Sequence, residues 1–254
     1  MSAQVVTEIA NGVMTLRFNR PEKKNALTAE MYAALAAGCR AAEMDAAVRV
    51  VVLTGSGDAF TAGNDLKDFL ENPPKTSEAP VFQFMHALVN LSKPVIAAIN
   101  GVAVGIGTTV ILHCDLAYAV PGAKFSLPFV NLALVPEFGS SIALAEQVGA
   151  RRAAELLLFG EPFTAETALA DGLLNGVLPP ETMLETVMTK ARALAAKPPA
   201  AVRATKRLMR AEAARISATI SREAQQFGKR LASPEFAEAA QAFLEKRAPD
   251  FSRF

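Results

Sequence analysis

Three short apolar runs constrain the fold most, because each has the length and composition of a buried strand. They are RVVVLTG (49–55), VIAAI (95–99) and DLAYAV (115–120). Near-continuous Val, Ile and Ala are typical of strands that are covered on both faces, and segments with helical spacing lie between these runs. This alternation predicts an α/β layered core of parallel strands with right-handed crossovers.

The segments before and between these strands predict a hairpin and two helices. Two β-rich runs flank Asn11 and Gly12, a dipeptide that suits a type I′ turn, so we expect an N-terminal hairpin. Helical spacing predicts a helix over 28–43, with Thr28 as its N-cap, and another over 81–91.

The C-terminal part of the chain is predicted to be nearly all helical from Gly139 onward, with one extended piece at 174–178. The last helix, over 234–246, carries an apolar face that we expect to pack on its own core or on a neighbouring subunit. That face holds Phe236, Ala240 and Phe243. We therefore expect an α/β core over 1–195 and a helical region over 196–254.

Composition excludes several classes of protein. Hydrophobic residues make up 51% of the chain and charged residues 20%, with a net charge of +1, which argues against disorder and against electrostatic nucleic-acid binding. The two cysteines, Cys39 and Cys114, match neither a metal site nor a disulfide framework, so we expect core positions for both. No apolar run reaches the ~18 residues of a membrane span, and we expect a cytoplasmic protein, although enzymes of organelles share these features.

Two glycine bends have the same physical character. FTAGNDL turns at Gly63 just before a helix at Leu66, and AVGIGTT turns at Gly105 and Gly107 before another helix. Such a bend leaves unpaired main-chain N–H groups at a helix N-terminus, and two of them facing each other would bind a developing oxyanion. A purely structural role is the alternative for either bend alone. A phosphate loop is disfavoured because neither bend has the Gly-Lys-Ser/Thr ending.

One carboxylate, Glu137, stands in the apolar stretch NLALVPEFGSS. Acidic residues are rarely buried without a partner. Glu137 either complements the N-terminus of the helix predicted over 139–147 or is held in an apolar pocket to move a proton.

The order of several motifs resembles the enoyl-CoA hydratase/isomerase family, also called the crotonase superfamily, across essentially the whole chain. The motifs are RPEKKNALT, FTAGNDLKDF, KPVIAAINGVAVGIGTT, CDLAYA, FSLPFVNLALVPEFGSS and FLEKR. The resemblance implies a crotonase-like (ββα)n spiral core with a C-terminal helical trimerisation region. It also implies an acyl-CoA thioester substrate, no cofactor or metal, and an oxyanion hole formed by the amides of Asn64 and Ile106.

Departures from the family pattern favour one subgroup. Typical hydratases carry two glutamates that activate water, and this chain has Thr109 and Phe129 at those places. The stretch around Glu137 is similar to that of peroxisomal-type Δ3,Δ2-enoyl-CoA isomerases, in which a single glutamate shuttles the proton. The resemblance therefore implies an isomerase with Glu137 as its base. A hydratase and a non-catalytic acyl-CoA binder are the alternatives.

The resemblance also suggests binding residues and an assembly. Lys23, Lys24 and Lys67 match positions at the 3′-phosphate and adenine end of CoA, and Phe227 and Lys246 match positions that reach a neighbouring subunit's CoA. We expect a homotrimer or dimer of trimers without nucleic-acid or membrane partners. Asp65 is expected to brace the first bend, and neither His86 nor His113 is assigned a catalytic role. The other predicted substrate contacts are Ala62, Leu66, Gly105, Phe129 and Leu132.

Overall fold

The computed structural model describes residues 3–74, 76, 78–211 and 213–254. Its larger sheet has six strands in the order β1-β2-β3-β5-β7-β10. The β1–β2 hairpin is antiparallel, with Asn11 and Gly12 both at positive φ in its turn, and the other pairs are parallel. The strands are β1 (Val5–Ala10), β2 (Val13–Phe18), β3 (Val50–Gly55), β5 (Val95–Ile99), β7 (Leu116–Ala119) and β10 (Gly176–Val177).

A second, smaller sheet has the order β4-β6-β8-β9, and only its β8–β9 pair is antiparallel. Its strands are β4 (Ala59–Thr61), β6 (Val102–Val104), β8 (Lys124–Ser126) and β9 (Phe163–Thr164). The α/β core of parallel strands is confirmed, but local patterns did not indicate this second sheet, because strands of two or three residues are too short to show an alternating pattern.

The helices confirm most of the predicted segments. The helix predicted over 28–43 spans Ala29–Met44, and Thr28 caps it by accepting from the Met31 N–H. The helices are α1 (Ala29–Met44), α2 (Leu66–Glu71), α3 (Pro80–Val89), α4 (Ile106–Thr109), α5 (Ser140–Val148), α6 (Ala150–Phe159), α7 (Ala165–Ala170), α8 (Pro180–Ala195), α9 (Pro199–Met209), α10 (Ala213–Leu231) and α11 (Pro234–Glu245).

The chain alternates between the two sheets in a repeated strand–strand–helix unit. In each of the pairs β3–β4, β5–β6 and β7–β8, the first strand joins the large sheet and the second joins the small one. Because β4, β6 and β8 are parallel neighbours, their carboxyl ends lie along one edge of the small sheet. Both glycine bends and the segment that leads to Glu137 leave from this edge, so the expected spiral core brings them together.

The core is one continuous apolar cluster in which β3 and β5 are buried on both faces. Cys39 and Cys114 are free and buried, as predicted. The last helix packs Phe236 and Ala240 onto this core, but Phe243 is 60% exposed. Phe243 lies near the end of α11 in the lining of the cleft described below rather than in the core of its own chain, so packing on a neighbouring subunit stays a prediction for this side chain.

Candidate active site

The first bend requires glycine at position 63 for two reasons. Gly63 has φ +90°, and a Cβ there would lie 2.8 Å from the carbonyl oxygen of Val104, in the strand that leads to the second bend. Only a residue without a side chain allows the backbones of the two bends to pack this closely.

The bend is braced by Asp65, as predicted. The carboxylate of Asp65 accepts from the amides of Lys67 and Asp68, at 3.1 Å each, and from Arg20 Nη1 at 2.6 Å. Burial acts to raise the pKa of Asp65, but the hydrogen bonds from Arg20 and from the Asp68 amide outweigh it and hold the pKa below its usual range. Asp65 is therefore a paired, ionised group that fixes the N-terminus of α2.

The second bend is fixed by main-chain and hydroxyl contacts. Gly105 has φ +54° and donates from its N–H to the Ser126 carbonyl at 2.9 Å, and the Thr108 hydroxyl donates to the Ala103 carbonyl at 2.6 Å. Ile106 begins α4, with its side chain buried in the core. Among the described residues, no acceptor bonds to the amides of Asn64 and Ile106, which is the arrangement expected of free donors at the two bends.

The side chain of Asn64 connects the first bend to Glu137. The buried Tyr32 hydroxyl donates to Asn64 Oδ1, so the Asn64 amide nitrogen is the group left to donate. Burial raises the pKa of Tyr32 well above its usual value, and the carboxylates of Glu137 and Asp68 add to this effect. Tyr32 therefore stays protonated and keeps the Asn64 amide in one orientation.

Glu137 is buried, with 7% of its surface exposed. Within the described part of the chain, its Oε1 has no hydrogen-bond partner. The pKa of Glu137 is raised to about 8: burial is the largest cause, the negative charge of Glu223 adds to it, and a hydrogen bond from the Asn64 side chain acts in the opposite direction. A carboxyl group with this pKa can accept a proton and return it near neutral pH.

The loop that carries Glu137 has an unusual backbone. Phe138 and Gly139 follow Glu137 with φ +61° and +72°. The buried His113 contacts the Phe138 carbonyl through Nε2 at 2.6 Å, and because a carbonyl oxygen only accepts, Nε2 carries the hydrogen. Burial lowers the pKa of His113 to about 3, so the ring is neutral and has a structural role here.

Glu137, the first bend at Gly63 to Asp65 and Gly105 of the second bend line one cleft with a volume of about 590 Å³. It contains most of the predicted site residues; Ile106 contributes no side chain to it, and Lys24 and Lys246 lie outside its lining. Phe227 lines the cleft of its own chain and packs edge-on against Phe69, with ring centroids 5.9 Å apart. The predicted residues in the lining are Lys23, Ala62, Asn64, Asp65, Leu66, Lys67, Gly105, Phe129, Leu132, Glu137 and Phe227.

Comparisons with known proteins agree with this geometry. The family described as enoyl-CoA hydratase/isomerase matches residues 8–253. The chain belongs to the enoyl-CoA hydratase/isomerase family. A crystal structure of an enoyl-CoA hydratase/isomerase from Pseudoalteromonas atlantica superposes with a TM-score of 0.94 at 39% identity, covering 98% of this chain and 100% of that one.

Named relatives in this family differ in activity. The chain is 34% identical to human enoyl-CoA delta isomerase 2 over 96% of its own length, and it spans 64% of the length of that protein. It is 36% identical to 1,2-epoxyphenylacetyl-CoA isomerase from Escherichia coli, over 98% of both chains. Hydratases are also among the matched proteins, so family membership alone does not distinguish isomerisation from hydration.

Neither of the two positions that the sequence resemblance assigned to hydratase glutamates, 109 and 129, carries a carboxylate. Thr109 is fully buried, and its hydroxyl has no hydrogen-bond partner in the described part of the chain. Phe129 is buried and lines the cleft. Neither side chain can accept a proton from water near neutral pH.

The sequence interpretation missed two residues of the site, Tyr32 and Glu223. Tyr32 gives no signal, because an aromatic residue on a helix that packs on the core is ordinary. Glu223 is the only acidic residue on the face that α10 buries, spaced with Ile216, Ile220 and Phe227. This spacing is a signal that could have singled it out.

Two further observations concern ligands and membranes. In the described part of the chain, no group of three or more His, Cys, Asp or Glu side chains could hold a metal ion. Among the described residues, every helix is too short or too polar to cross a bilayer.

Proposed function

We propose that this chain is an enoyl-CoA isomerase that moves a double bond from C3–C4 to C2–C3 of an acyl-CoA thioester. One observation carries the proposal. Among the described residues, two carboxylates line the cleft. The negative charge of Asp65 is balanced by the guanidinium of Arg20, whereas Glu137 is buried with a free oxygen and a raised pKa. A buried carboxylate with a free oxygen suits proton transfer between carbon atoms.

The proposed reaction needs few groups. Ionised Glu137 removes a proton from C2, and the electron pair moves onto the thioester oxygen to give a dienolate. The amides of Asn64 and Ile106 donate to this oxygen. Protonated Glu137 then returns the proton to C4, the thioester carbonyl re-forms, and the double bond lies between C2 and C3. One oxyanion-hole donor is worth ~3 to 4 kcal/mol in a well-studied protease, so a pair can lower the barrier by several kcal/mol.

Hydration is the first alternative, and the side chains at the two hydratase positions argue against it. Thr109 and Phe129 provide no base for water, and the cleft around Glu137 is apolar, with Phe129, Leu132 and Leu134 in its lining. The second alternative is isomerisation of an epoxyphenylacetyl-CoA, which is favoured by the full-length match to a relative of that name. Assays with both substrates distinguish the two isomerisations.

Lys23 and Lys67 lie in the cleft lining, and Lys24 follows Lys23 on the exposed surface. Their ammonium groups are suited to the phosphates and adenine end of CoA. We also propose a trimer or a dimer of trimers in which Lys246 reaches a neighbouring subunit. Light scattering at micromolar concentration checks this assembly, and a monomer would contradict it.

The experiment that tests the function compares substrates and a variant. Purified protein is incubated in deuterated water with a 3-enoyl-CoA, a 2-enoyl-CoA or 1,2-epoxyphenylacetyl-CoA, and the products are analysed by mass spectrometry. We expect a 2-enoyl product from the first substrate and negligible hydration of the second. Turnover of the epoxide faster than of the 3-enoyl-CoA would favour the second alternative.

Glu137→Gln is expected to lower turnover of 3-enoyl-CoA by about 10²- to 10⁴-fold, the usual contribution of a general acid–base group. Glu146→Gln is the matched control, because it removes an exposed carboxylate outside the cleft. That carboxylate pairs with Arg215, with an Nη1–Oε1 distance of 2.6 Å. Near wild-type activity in Glu137→Gln would refute the assignment of the base.

A further inference from the structure

A second buried carboxylate lies behind the loop that carries Glu137. Glu223 is on α10, is 8% exposed and does not line the cleft itself. Both of its oxygens accept main-chain hydrogen bonds, from the Gly139 N–H at 2.6 Å and from the Ser141 N–H at 2.9 Å. These two amides follow Glu137 by two and four residues, so Glu223 holds the backbone next to the base.

The main-chain amides at the end of this loop need a hydrogen-bond acceptor from another part of the chain. Helix α5 begins at Ser140, and its N-cap, Gly139, provides no side-chain cap. The first amides of a helix are unpaired and attract a negative charge. The carboxylate of Glu223 accepts from these amides and supplies the negative charge, and His113 donates to the neighbouring Phe138 carbonyl. The loop is thereby fixed at two consecutive residues.

We infer that Glu223 is a positioning residue of the active site: it fixes the main chain from which Glu137 projects, and its negative charge sets when Glu137 ionises. This inference rests on the proposed function, because it assigns Glu223 a part in proton transfer by Glu137. When two nearby carboxyl groups have different surroundings, their pKa values differ, and each group can take a different role in proton transfer.

The hydrogen bonds assign the charge within this pair. Burial raises the pKa of Glu223, but bonds from Ser141 and Gly139 stabilise its ionised form. Glu137 has an oxygen without any donor in the described part of the chain. The negative charge therefore stays on Glu223, and the proton stays on Glu137 until a higher pH.

The charged and titratable groups around the pair lie on several elements, and two of them have pKa values far from that of Glu137. The pKa of Tyr32 on α1 is well above its usual value, and the pKa of His113 is about 3. The charge of Arg222 on α10 favours the ionised form of Glu223. On α2, Asp68 adds a negative charge that acts on Tyr32. Of Tyr32, His113 and Glu137, Glu137 is the one whose ionisation is expected near pH 8.

The test uses Glu223→Gln and Glu223→Asp in the full chain. The first variant keeps the length of the side chain and one acceptor but loses the charge; the second keeps the charge and shortens the reach. Two quantities are measured: the dependence of kcat/KM on pH, and the pKa of Glu137 from ¹³C-carboxyl NMR, assigned with Glu137→Gln. The NMR measurement does not depend on any substrate.

In Glu223→Gln we expect the pKa of Glu137, and the acid limb of kcat/KM with it, to fall by about one unit, as on removal of a nearby like charge. In Glu223→Asp we expect kcat to fall by roughly 10- to 100-fold with a nearly unchanged acid limb, because a small misplacement of the base is costly. Glu146→Gln, which removes another link between α5 and α10, should change neither quantity.

A Glu137 pKa within 0.3 units of wild type in Glu223→Gln would overturn the inference. If Glu223→Gln does not fold, wild-type kcat in Glu223→Asp would overturn it equally. If no 3-enoyl-CoA is turned over but the NMR shift is present, the proposed function fails and the coupling of the two carboxylates stands.

Discussion

Two largely buried carboxylates, Asp115 and Glu137, differ in their hydrogen-bond and ion-pair partners. Asp115 lies at the amino end of a strand, and Glu137 lies beyond the carboxyl end of another. Asp115 precedes β7 and accepts from the Val95 N–H and from Lys206 Nζ, both at 2.8 Å, with Arg210 Nε at 3.4 Å. Glu137 lies beyond the carboxyl end of β8, and in the part of the chain that the structure describes it forms no salt bridge with a cation. Burial of an acidic residue is therefore not informative by itself; its donors decide whether it stabilises the fold or is available for chemistry.

The largest expected effect is the change in the free energy of unfolding with pH that Glu137 causes. The pKa of Glu137 is raised from 4.5 to about 8, so the folded protein keeps a proton that the unfolded chain loses. Stability from this group is present below about pH 4.5 and is lost as the pH rises through 8. A shift of this size corresponds to roughly 5 kcal/mol.

Glu137→Gln removes this dependence, so urea unfolding at pH 5, 7 and 9 should show the variant gaining stability over wild type as the pH rises. The reason is that the variant has no charge to bury. If the free energies of unfolding of the two proteins change with pH by the same amount, Glu137 has an ordinary pKa. The proposed difference between Glu137 and Asp115 would then be wrong.

At Asp115 we expect the opposite sign. Lys206→Met keeps an apolar stem but removes the ammonium that pairs with Asp115 and donates to the Lys93 carbonyl at 2.7 Å. Loss of one partner of a buried pair costs ~3 to 5 kcal/mol, and the remaining contact with Arg210 places the expected loss near about 3 kcal/mol.

Urea unfolding at pH 7 measures this loss, while kcat per folded molecule should stay at the wild-type value because the pair is remote from the cleft. Arg207→Met, on the exposed face of the same helix, is the control and should lie within about 0.5 kcal/mol of wild type. A reduced kcat in folded Lys206→Met would show that the two ends of the molecule are coupled.

The difference between these two regions also explains what the sequence could predict. The buried strands, the hairpin, α1 and the position of Glu137 in an apolar stretch all follow from local patterns. The partners of the acidic residues do not, because Glu223 lies 84 positions from Gly139, and Lys206 lies far along the chain from Asp115. Pairing is a property of the tertiary structure, and so is the second sheet, whose strands have two or three residues each.

The smallest expected effect is at the bend that packs against β6. Gly63→Ala would place a Cβ 2.8 Å from the Val104 carbonyl at φ +90°, so one of the two bends must shift. Strain of this kind costs ~1 to 3 kcal/mol, and we expect about 2 kcal/mol in urea unfolding. Gly122→Ala is the control, because Gly122 has φ +83° but no atom within 4 Å of an added Cβ, so it reports the backbone cost alone.

A shift between the bends would also separate the amides of Asn64 and Ile106. Gly63→Ala should therefore lose kcat that Gly122→Ala keeps, and equal kcat in both variants would show that the spacing of the bends is not what the reaction requires.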